Sequence, residues 1–574
     1  MIPGELTIQA RAWMAGDPSP ADRTELAGLL DAAGQPGAAG QVARAELADR
    51  FDGRLKFGTA GLRGAMGAGP NRMNRAVVRA ATMGLARWLH ERRPAAARAG
   101  VALGWDARHR SAEFAAEAAA VLTGAGIPVH LLPDRSPTPL LAFAVRHLSC
   151  GAGVMITASH NPPADNGYKL YLGDGAQIVP PVDAQIEAAI RELGPLSAAA
   201  LGPPDGPLIT RHGSEIAEAY LTAVVSAAPA AGPARDLTVV YTPLHGVAGS
   251  LMLQAIEQAG YPAPHVVAAQ AQPDPGFPTV SFPNPEEPGA LDLALAEAAR
   301  LGADLVLASD PDGDRLAVAV PDPAVGGWRA LTGDQVGSVL GAYLLDVTAD
   351  GPGPQRRLVA STVVSSVMLA SIAAAVGVKY VETLTGFKWI VRAADDQPGR
   401  RFVFGYEEAL GYAVGDVVRD KDGIGAALAL LSLASRARAG GQGLLDRWDA
   451  LEAAHGVHLR AQLTVPTRSP GEIMAGLRAA PPADLAGQPV LDVADLAGGG
   501  PLPPSDVLIF RLPGSRVVVR PSGTEPKLKC YLEVVEPVTD DGLPAARARA
   551  AARLAPLRAG TSALLMAPSG RPPA

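Results

Sequence analysis

The chain is poor in cysteine. Cys150 and Cys530 are its only two, they lie far apart, and they form no CxxC pair. A zinc cluster is therefore excluded, and a reducing, cytoplasmic setting is expected. A basic field is also missing. The chain carries 50 Lys and Arg against 57 Asp and Glu, a net charge of −7. That balance excludes a general nucleic-acid binder. No apolar run is long enough and free enough of charge to span a bilayer, so no membrane partner is expected. The stretch Met1-Ile2-Pro3-Gly4-Glu5-Leu6 has no basic region leading into an apolar one, so no signal peptide is expected. What the chain does have is a hydrophobic content of 48% over 574 residues. That exceeds one core, and about three to five domains are expected. Abundant Ala, Gly and Pro weaken local propensity as a guide, so periodicity and punctuation carry the reading.

Ala21 to Phe51 reads as two helices broken at Gly34-Gln35-Pro36-Gly37. Leu26, Leu29 and Leu30 share one apolar face of the first, and Ala43 and Leu47 one face of the second. A glycine-rich loop follows, Phe57 to Gly64. Then come a helix over Ala76–Leu89, a strand over Gly100–Gly104, a helix over Ala112–Thr123 and a strand over Ile127–Leu131. Alternating strand and helix is the α/β signature. After a Pro/Gly-rich break near Gly202 to Gly206 the pattern recurs. Strands are expected at Leu237–Tyr241 and Ala303–Ala308, with a helix at Ser250–Ala259. A third stretch offers helices at Gly333–Leu345 and Gly423–Ala437 and a strand at Arg357–Ser361. These first three units could be copies of one plan. From about Gly440 the pattern changes. Strands at Val507–Phe510, Arg516–Val519 and Leu528–Val535 suggest a smaller antiparallel sheet. The tail from about Arg547 reads as part helix with a disordered end.

Four clusters carry chemistry. The strand Val154-Met155-Ile156 runs into Thr157-Ala158-Ser159-His160-Asn161-Pro162. Strand ends in α/β proteins aim reactive side chains into a crevice, although a plain polar turn would look the same. The second cluster is Asp310-Pro311-Asp312-Gly313-Asp314-Arg315. Its three carboxylates at alternate positions can converge on one hard cation such as Mg²⁺. Arg315 and Pro321 stand where a calcium loop needs glycine and glutamate, so an EF-hand is excluded. A solvated acidic turn is disfavoured, because three adjacent like charges repel without a counter-ion. The third is Arg520-Pro521-Ser522-Gly523-Thr524-Glu525-Pro526-Lys527. Arginine, two hydroxyls and amides beside a glycine can cradle a phosphate; a simple hairpin turn is the plainer reading. The fourth is Gly405-Tyr406-Glu407-Glu408-Ala409-Leu410-Gly411-Tyr412. Paired carboxylates can bind vicinal sugar hydroxyls, although locally a solvated loop is the better reading. Lys421, in Arg419-Asp420-Lys421-Asp422-Gly423, locally reads as an exposed turn residue. The loop bearing Arg63 is not GxGxxG, so no dinucleotide site follows; its amides and Arg63 could contact a phosphate, and its glycines could equally serve close packing.

In combination and order, these motifs closely resemble the α-D-phosphohexomutase superfamily over nearly the whole chain. Phe57 to Gly64, with Asn71-Arg72-Met73-Asn74, looks most like its phosphoglucomutase/phosphopentomutase branch. The resemblance implies an α/β enzyme of four domains in a heart-shaped arrangement around a central cleft: three α/β domains with mixed sheets and a C-terminal α+β domain. The expected boundaries are 1–205, 206–326, 327–440 and 441–574. It implies a phosphoserine at Ser159 and Mg²⁺ held by Asp310, Asp312 and Asp314 together with that serine's phosphate. Arg63, His160, Lys169, Arg315 and Lys421 match active-site positions. Arg520, Ser522, Gly523 and Thr524 match the phosphate-binding loop, with Lys529 on the strand beyond. Lys388, in Gly386-Phe387-Lys388, and the pair Glu407 and Glu408 fall in substrate-binding loops.

The implied reaction is interconversion of glucose 1-phosphate and glucose 6-phosphate through glucose 1,6-bisphosphate or a related sugar bisphosphate. The implied partners are small sugar phosphates, bound by a monomer or small homo-oligomer. Pentose and mannose phosphates are the alternative substrates. Many glucose-specific relatives have Gly-Glu-Glu-Ser where this chain has Tyr406-Glu407-Glu408-Ala409, so a serine hydroxyl is missing. A Ser159–His160 hydrolase is disfavoured, because no G-x-S-x-G elbow is present and neighbours on an extended chain point apart. A non-catalytic sugar-phosphate sensor would be expected to lose Ser159 or the aspartates.

Overall fold

The computed structural model describes residues 4–58, 61–194, 196–351, 353–467, 469–522 and 527–566. The chain forms two compact units. The first comprises Met1–Ala228, Arg235–Arg329 and Asp416–Leu428, the second Pro229–Ala234, Ala330–Gly415 and Ala429–Ala574.

The first unit holds two sheets. One is built from β1 (Leu62–Ala65), β2 (Val101–Trp105), β3 (Val129–Leu131), β4 (Ala152–Ile156), β5 (Asp165–Leu172) and β6 (Ile209–Arg211), in the order β1-β5-β4-β2-β3-β6. β2 runs parallel to β3 and β4, and β5 turns back antiparallel to β4. The helices Ser111–Gly124 and Thr138–His147 make the crossovers that parallel strands require. Every residue of β4 is buried, which is why Ala-Gly-Val-Met-Ile reads as an unbroken apolar run. Leu103, Val154, Ile156, Phe114, Leu122 and Leu85 meet in the core beneath it. The other sheet contains β7 (Val239–Thr242), β8 (His265–Val266), β9 (Leu305–Ala308), β10 (Ala317–Asp322) and β11 (Gly327–Leu331), in the order β11-β10-β9-β7-β8.

The second unit holds a sheet of β12 (Arg357–Thr362), β13 (Lys379–Thr383), β14 (Arg401–Glu407) and β15 (Gly411–Val414), in the order β13-β12-β14-β15. β16 (Val457–Pro466) follows, and then a two-stranded ribbon of β17 (Asp484–Leu485) and β18 (Gln488–Pro489). The last strands are β19 (Asp492–Asp495), β20 (Leu508–Leu512), β21 (Ser515–Pro521) and β22 (Lys527–Glu536). With β16 they form an antiparallel sheet in the order β16-β22-β21-β20-β19, covered by the helix Gly542–Met566.

The first three sheets repeat one topology. Each contains the run β5-β4-β2-β3, β10-β9-β7-β8 or β15-β14-β12-β13, with a parallel trio and an antiparallel strand returning beside its last member. The Ser159 turn, the Asp310 loop and the Glu407-Glu408 turn all connect that last parallel strand to its returning partner. One backbone plan thus places three different connecting turns at the same corner of the repeat.

Two local expectations change. An additional helix, Gly4–Gly16, precedes the expected pair and packs Ala10 against Leu26 and Ala33. β3 begins at Val129 and not at Ile127, because Pro128 has no N–H to give a ladder. Ser569 to Ala574 lie outside the described residues.

Candidate active site

Ser159 follows β4 in a left-handed conformation, φ 53°. The turn is held by Thr157, whose Oγ1 accepts the Ser159 N–H at 2.8 Å. Ser159 Oγ donates to Asp310 Oδ2 at 2.8 Å and lies 3.2 Å from His160 Nδ1. The expectation that Ser159 and His160 point apart is therefore corrected. The chain is not extended there, and the left-handed residue folds the two side chains together. Arg63, on β1, reaches the same turn, donating to Asn161 Oδ1 at 3.4 Å.

The acidic loop is fully buried and is no solvated turn: Asp310, Asp312 and Asp314 are each 0% exposed. Gly313 has φ 71°, and a Cβ there would fall 2.5 Å from Ala248 Cβ, so the loop closes only on glycine. The like charges are offset by Lys169 and Lys421 from other elements and by Arg315 of the loop itself. Lys169, on β5, places Nζ 2.6 Å from Asp312 Oδ2 and 2.9 Å from Asp314 Oδ2. Lys421 Nζ stands 3.2 Å from Asp314 Oδ2. Arg315 Nε lies 3.9 Å from both Asp310 Oδ2 and Asp314 Oδ1, and its backbone N–H donates to Asp310 Oδ1 at 3.0 Å. Lys421 is buried, against its reading as an exposed turn residue. It is brought in by the segment ahead of the helix Gly423–Ala439. A Cβ on Gly423 would fall 2.4 Å from the Arg315 carbonyl, so this approach too needs glycine.

These charges set the ionisation. Burial raises Asp310 well above the usual carboxylate range, helped by Asp314 and Asp312. Burial works the same way on Asp312, but Lys169 and hydrogen bonds outweigh it and hold that carboxyl low. Asp314 is pushed up by burial and Asp312, and ends below its ordinary value through Lys169, Lys421 and Arg315. Burial, then Arg315 and Arg63, pushes His160 well below its ordinary value, so its imidazole is neutral near pH 7.

The triad fits a hard divalent cation. One oxygen from each carboxylate lies within 4.8 Å of the others. Asp312 Oδ1 and Asp314 Oδ1 are buried and accept no hydrogen bond among the described residues. Such oxygens are costly to leave unmatched, and an oxygen-liganded ion such as Mg²⁺ matches them.

The second unit carries the remaining expected residues. Glu407 closes β14 and is buried. Glu408 accepts from Thr362 Oγ1 at 3.3 Å and Ser365 Oγ at 3.2 Å. This is a hairpin turn between β14 and β15 and not a solvated loop. Tyr406 and Tyr412 pair across it, both 0% exposed. Lys388 is buried on the short helix Phe387–Ile390. Arg520 pairs with Lys529 across β21 and β22, and Ser522 N–H donates to the Lys527 carbonyl at 2.9 Å. Gly523 and Thr524 lie outside the described residues.

Three contributors escaped the sequence reading. Thr138 Oγ1 donates to Asp312 Oδ2 at 2.5 Å, and its N–H donates to the Asp312 carbonyl at 2.9 Å. Asp420 accepts from Tyr171 Oη and Gln177 Nε2, both at 2.7 Å, which fixes the backbone beside Lys421. Arg108 grips the Ser159 turn from below. A threonine between two prolines at a helix start, Pro137-Thr138-Pro139, was the one available signal.

The same order of parts appears in known proteins. Residues 54–195 match the family described as phosphoglucomutase/phosphomannomutase, alpha/beta/alpha domain I. Residues 218–326 match its domain II, 332–451 its domain III and 474–550 its C-terminal domain. A probable phosphomannomutase from Haemophilus influenzae is 43% identical over 471 residues, covering 80% of this chain and 93% of the relative. A probable phosphoribomutase from Schizosaccharomyces pombe is 37% identical over 520 residues, covering 83% and 86%. A phosphoglucomutase/phosphomannomutase family protein from Burkholderia thailandensis has a solved structure that superposes with a TM-score of 0.67 at 21% identity, covering 88% of this chain and 97% of that one. The chain belongs to the phosphoglucomutase/phosphomannomutase family and is a phospho-sugar mutase, an isomerase that works by phosphoryl transfer.

Proposed function

We propose that Ser159 is the phosphoryl carrier and that the protein interconverts glucose 1-phosphate and glucose 6-phosphate. The observation that carries the first part is Ser159 Oγ at 2.8 Å from Asp310, inside a carboxylate set already matched by Lys169, Lys421 and Arg315. A serine so placed receives a phosphoryl group among cations that offset its charge. The serine's P–O bond breaks as a sugar hydroxyl forms its own, giving a bisphosphate. That bisphosphate turns end for end, and Ser159 takes back the other phosphoryl group. His160, neutral and within 3.2 Å of Ser159 Oγ, can accept and return the proton exchanged at that oxygen. Arg63 and Arg315 would face the transferring oxygens. Asp310, Asp312, Asp314 and the Ser159 phosphate would hold Mg²⁺, which when bound offsets negative charge on the group in transfer. Arg520 and Ser522, with Gly523, Thr524 and Lys529, would hold the phosphate that is not reacting.

For the sugar, the paired carboxylates Glu407 and Glu408 suit the vicinal hydroxyls of glucose. A pentose is the second reading. Ala409 removes the hydroxyl expected in a glucose-specific turn, and the S. pombe relative carries a phosphoribomutase name. Coupled assays on glucose, ribose and mannose 1-phosphates, each with its bisphosphate, decide between them. The highest kcat/KM on glucose 1-phosphate supports the first reading. The highest value on ribose 1-phosphate overturns it in favour of the second.

A further inference from the structure

Four main-chain carbonyls of the Ser159 turn converge on one guanidinium. Arg108 Nη2 donates to the Ser159 carbonyl at 2.6 Å and the Asn161 carbonyl at 2.5 Å. Arg108 Nη1 donates to the Pro162 carbonyl at 2.7 Å and the Asp165 carbonyl at 3.2 Å. The side chain is completely buried. It comes from the end of β2, in Trp105-Asp106-Ala107-Arg108, directly beside β4. Asp106 anchors it from behind: Oδ1 accepts the Arg108 N–H at 2.9 Å and Ser111 Oγ at 2.7 Å, and Oδ2 stands 3.5 Å from Arg108 Nε. The Phe277 ring covers the guanidinium, 5.0 Å from its central carbon. Edge, face and stem are all fixed.

This arrangement is out of proportion to a turn that only connects two strands. Removing a permanent cation from water is costly unless its donors are matched. Here four carbonyls from one short turn match the four Nη hydrogens, and the Asp106 carboxylate 3.5 Å away offsets the charge at Nε, which makes no hydrogen bond among the described residues. The turn needs such a grip because Ser159 is left-handed, a conformation that a side chain beyond Cα makes unfavourable. Holding the carbonyl of Ser159 itself fixes the peptide plane that follows it. That plane decides where Oγ lies relative to Asp310. A lysine could not replace the group, since its donors leave one point and cannot span carbonyls from 159 to 165.

We propose that Arg108 is a positioning residue for phosphoryl transfer: it holds the Ser159 turn in its reacting geometry, with Asp106 and Phe277 holding Arg108. This rests on the reading of Ser159 as the phosphoryl carrier. A misplacement of about 1 Å at a reacting atom costs roughly 100-fold in rate. Arg108→Lys should therefore lower kcat by about 100-fold per folded molecule, while KM for the sugar monophosphate changes by less than about threefold. In Arg108→Ala, tens of millimolar guanidinium should restore part of the turnover, and the same concentration of sodium chloride should not. A merely structural role would lower the yield or thermal midpoint but leave kcat of the folded fraction intact, and guanidinium would only harm it. Should Arg108→Ala fail to fold, Arg108→Lys decides alone: normal kcat overturns the proposal, as does a rise in KM equal to the fall in kcat. Peptide mapping separates the two ideas. If the wild-type protein carries no phosphate on Ser159 and turns over normally without it, both fall. If it carries the phosphate and Arg108→Lys turns over normally, only the positioning role falls.

Discussion

Replacing Lys169 by methionine tests the electrostatic logic of the site. The substitution keeps an apolar stem of similar reach and removes one charge. In the wild type that charge lies 2.6 Å from Asp312 and 2.9 Å from Asp314, with all three side chains at most 1% exposed. Removing one partner of a buried ion pair costs about 3–5 kcal/mol, because the other charge is left unmatched. The first unit holds roughly 340 residues, so at about 2.1 cal/mol/K per residue 1 kcal/mol moves its midpoint by about 1.4 °C. The transition should thus fall by about 4–7 °C in EDTA. Added Mg²⁺ should shrink that shift, since an ion among the same carboxylates replaces the missing charge. The pH dependence has a definite sign. Asp312 and Asp314 are held below their ordinary values in the folded protein, so they contribute stability above about pH 4 that is lost as pH falls further. In Lys169→Met burial dominates, and both carboxyls take up protons at higher pH. Asp310 is raised in the wild type and works in the opposite sense, but its main cause, burial, is common to both proteins and largely cancels in their difference. The gap between wild type and variant should therefore be widest near pH 7 and narrow below pH 4. Calorimetry in EDTA at the two pH values measures it. A shift under about 2 °C at pH 7, or a gap that widens on acidification, would refute the reasoning.

Arg520→Ala should remove a charge-assisted bond of about 1.5–3 kcal/mol, a roughly tenfold to hundredfold loss of kcat/KM. Titration calorimetry should show weaker affinity for both sugar monophosphates, with Ser159 phosphorylation and the thermal midpoint little changed; unaltered affinity would make the hairpin structural. Exhaustive chelation should abolish turnover and Mg²⁺ should restore it, and full activity in chelator would remove the cation from the account. Burial raises the Cys150 thiol to about 12 and pushes Cys530 higher still, so neither should react with a thiol reagent at pH 8 until the protein is denatured. Rapid native labelling of either would contradict their burial.

Much of the site was legible where local sequence controls it. A buried apolar strand running into a polar turn marked Ser159 and Asp310, because parallel strands covered on both faces must be apolar and their ends must not be. Spacing alone showed that three carboxylates could converge, and repulsion required cations without naming their source. Those cations were legible only through motif resemblance, since their meeting depends on tertiary register. Lys169 reaches the acidic loop because β5 pairs Lys169 with Met155 beside the Ser159 turn. Lys421 arrives from a segment over a hundred residues beyond the aspartates, carried by the close approach at Gly423. The left-handed turn at Ser159 could not be read, since serine has no preference for it; its contacts are the local Thr157 hydroxyl and Arg108, which the pairing of β2 with β4 brings in. The glutamate turn was misread as solvated, although Tyr406 and Tyr412, spaced evenly about it, carry the alternation of a hairpin with a buried face.

The central claim is that Ser159 carries the phosphoryl group between the two ends of the sugar. Turnover of Ser159→Ala, measured with Mg²⁺ and saturating sugar bisphosphate, tests it most directly. The account predicts loss of nearly all mutase activity with the fold intact, because water is a poor substitute for a positioned acceptor. Wild-type turnover in that variant would contradict it.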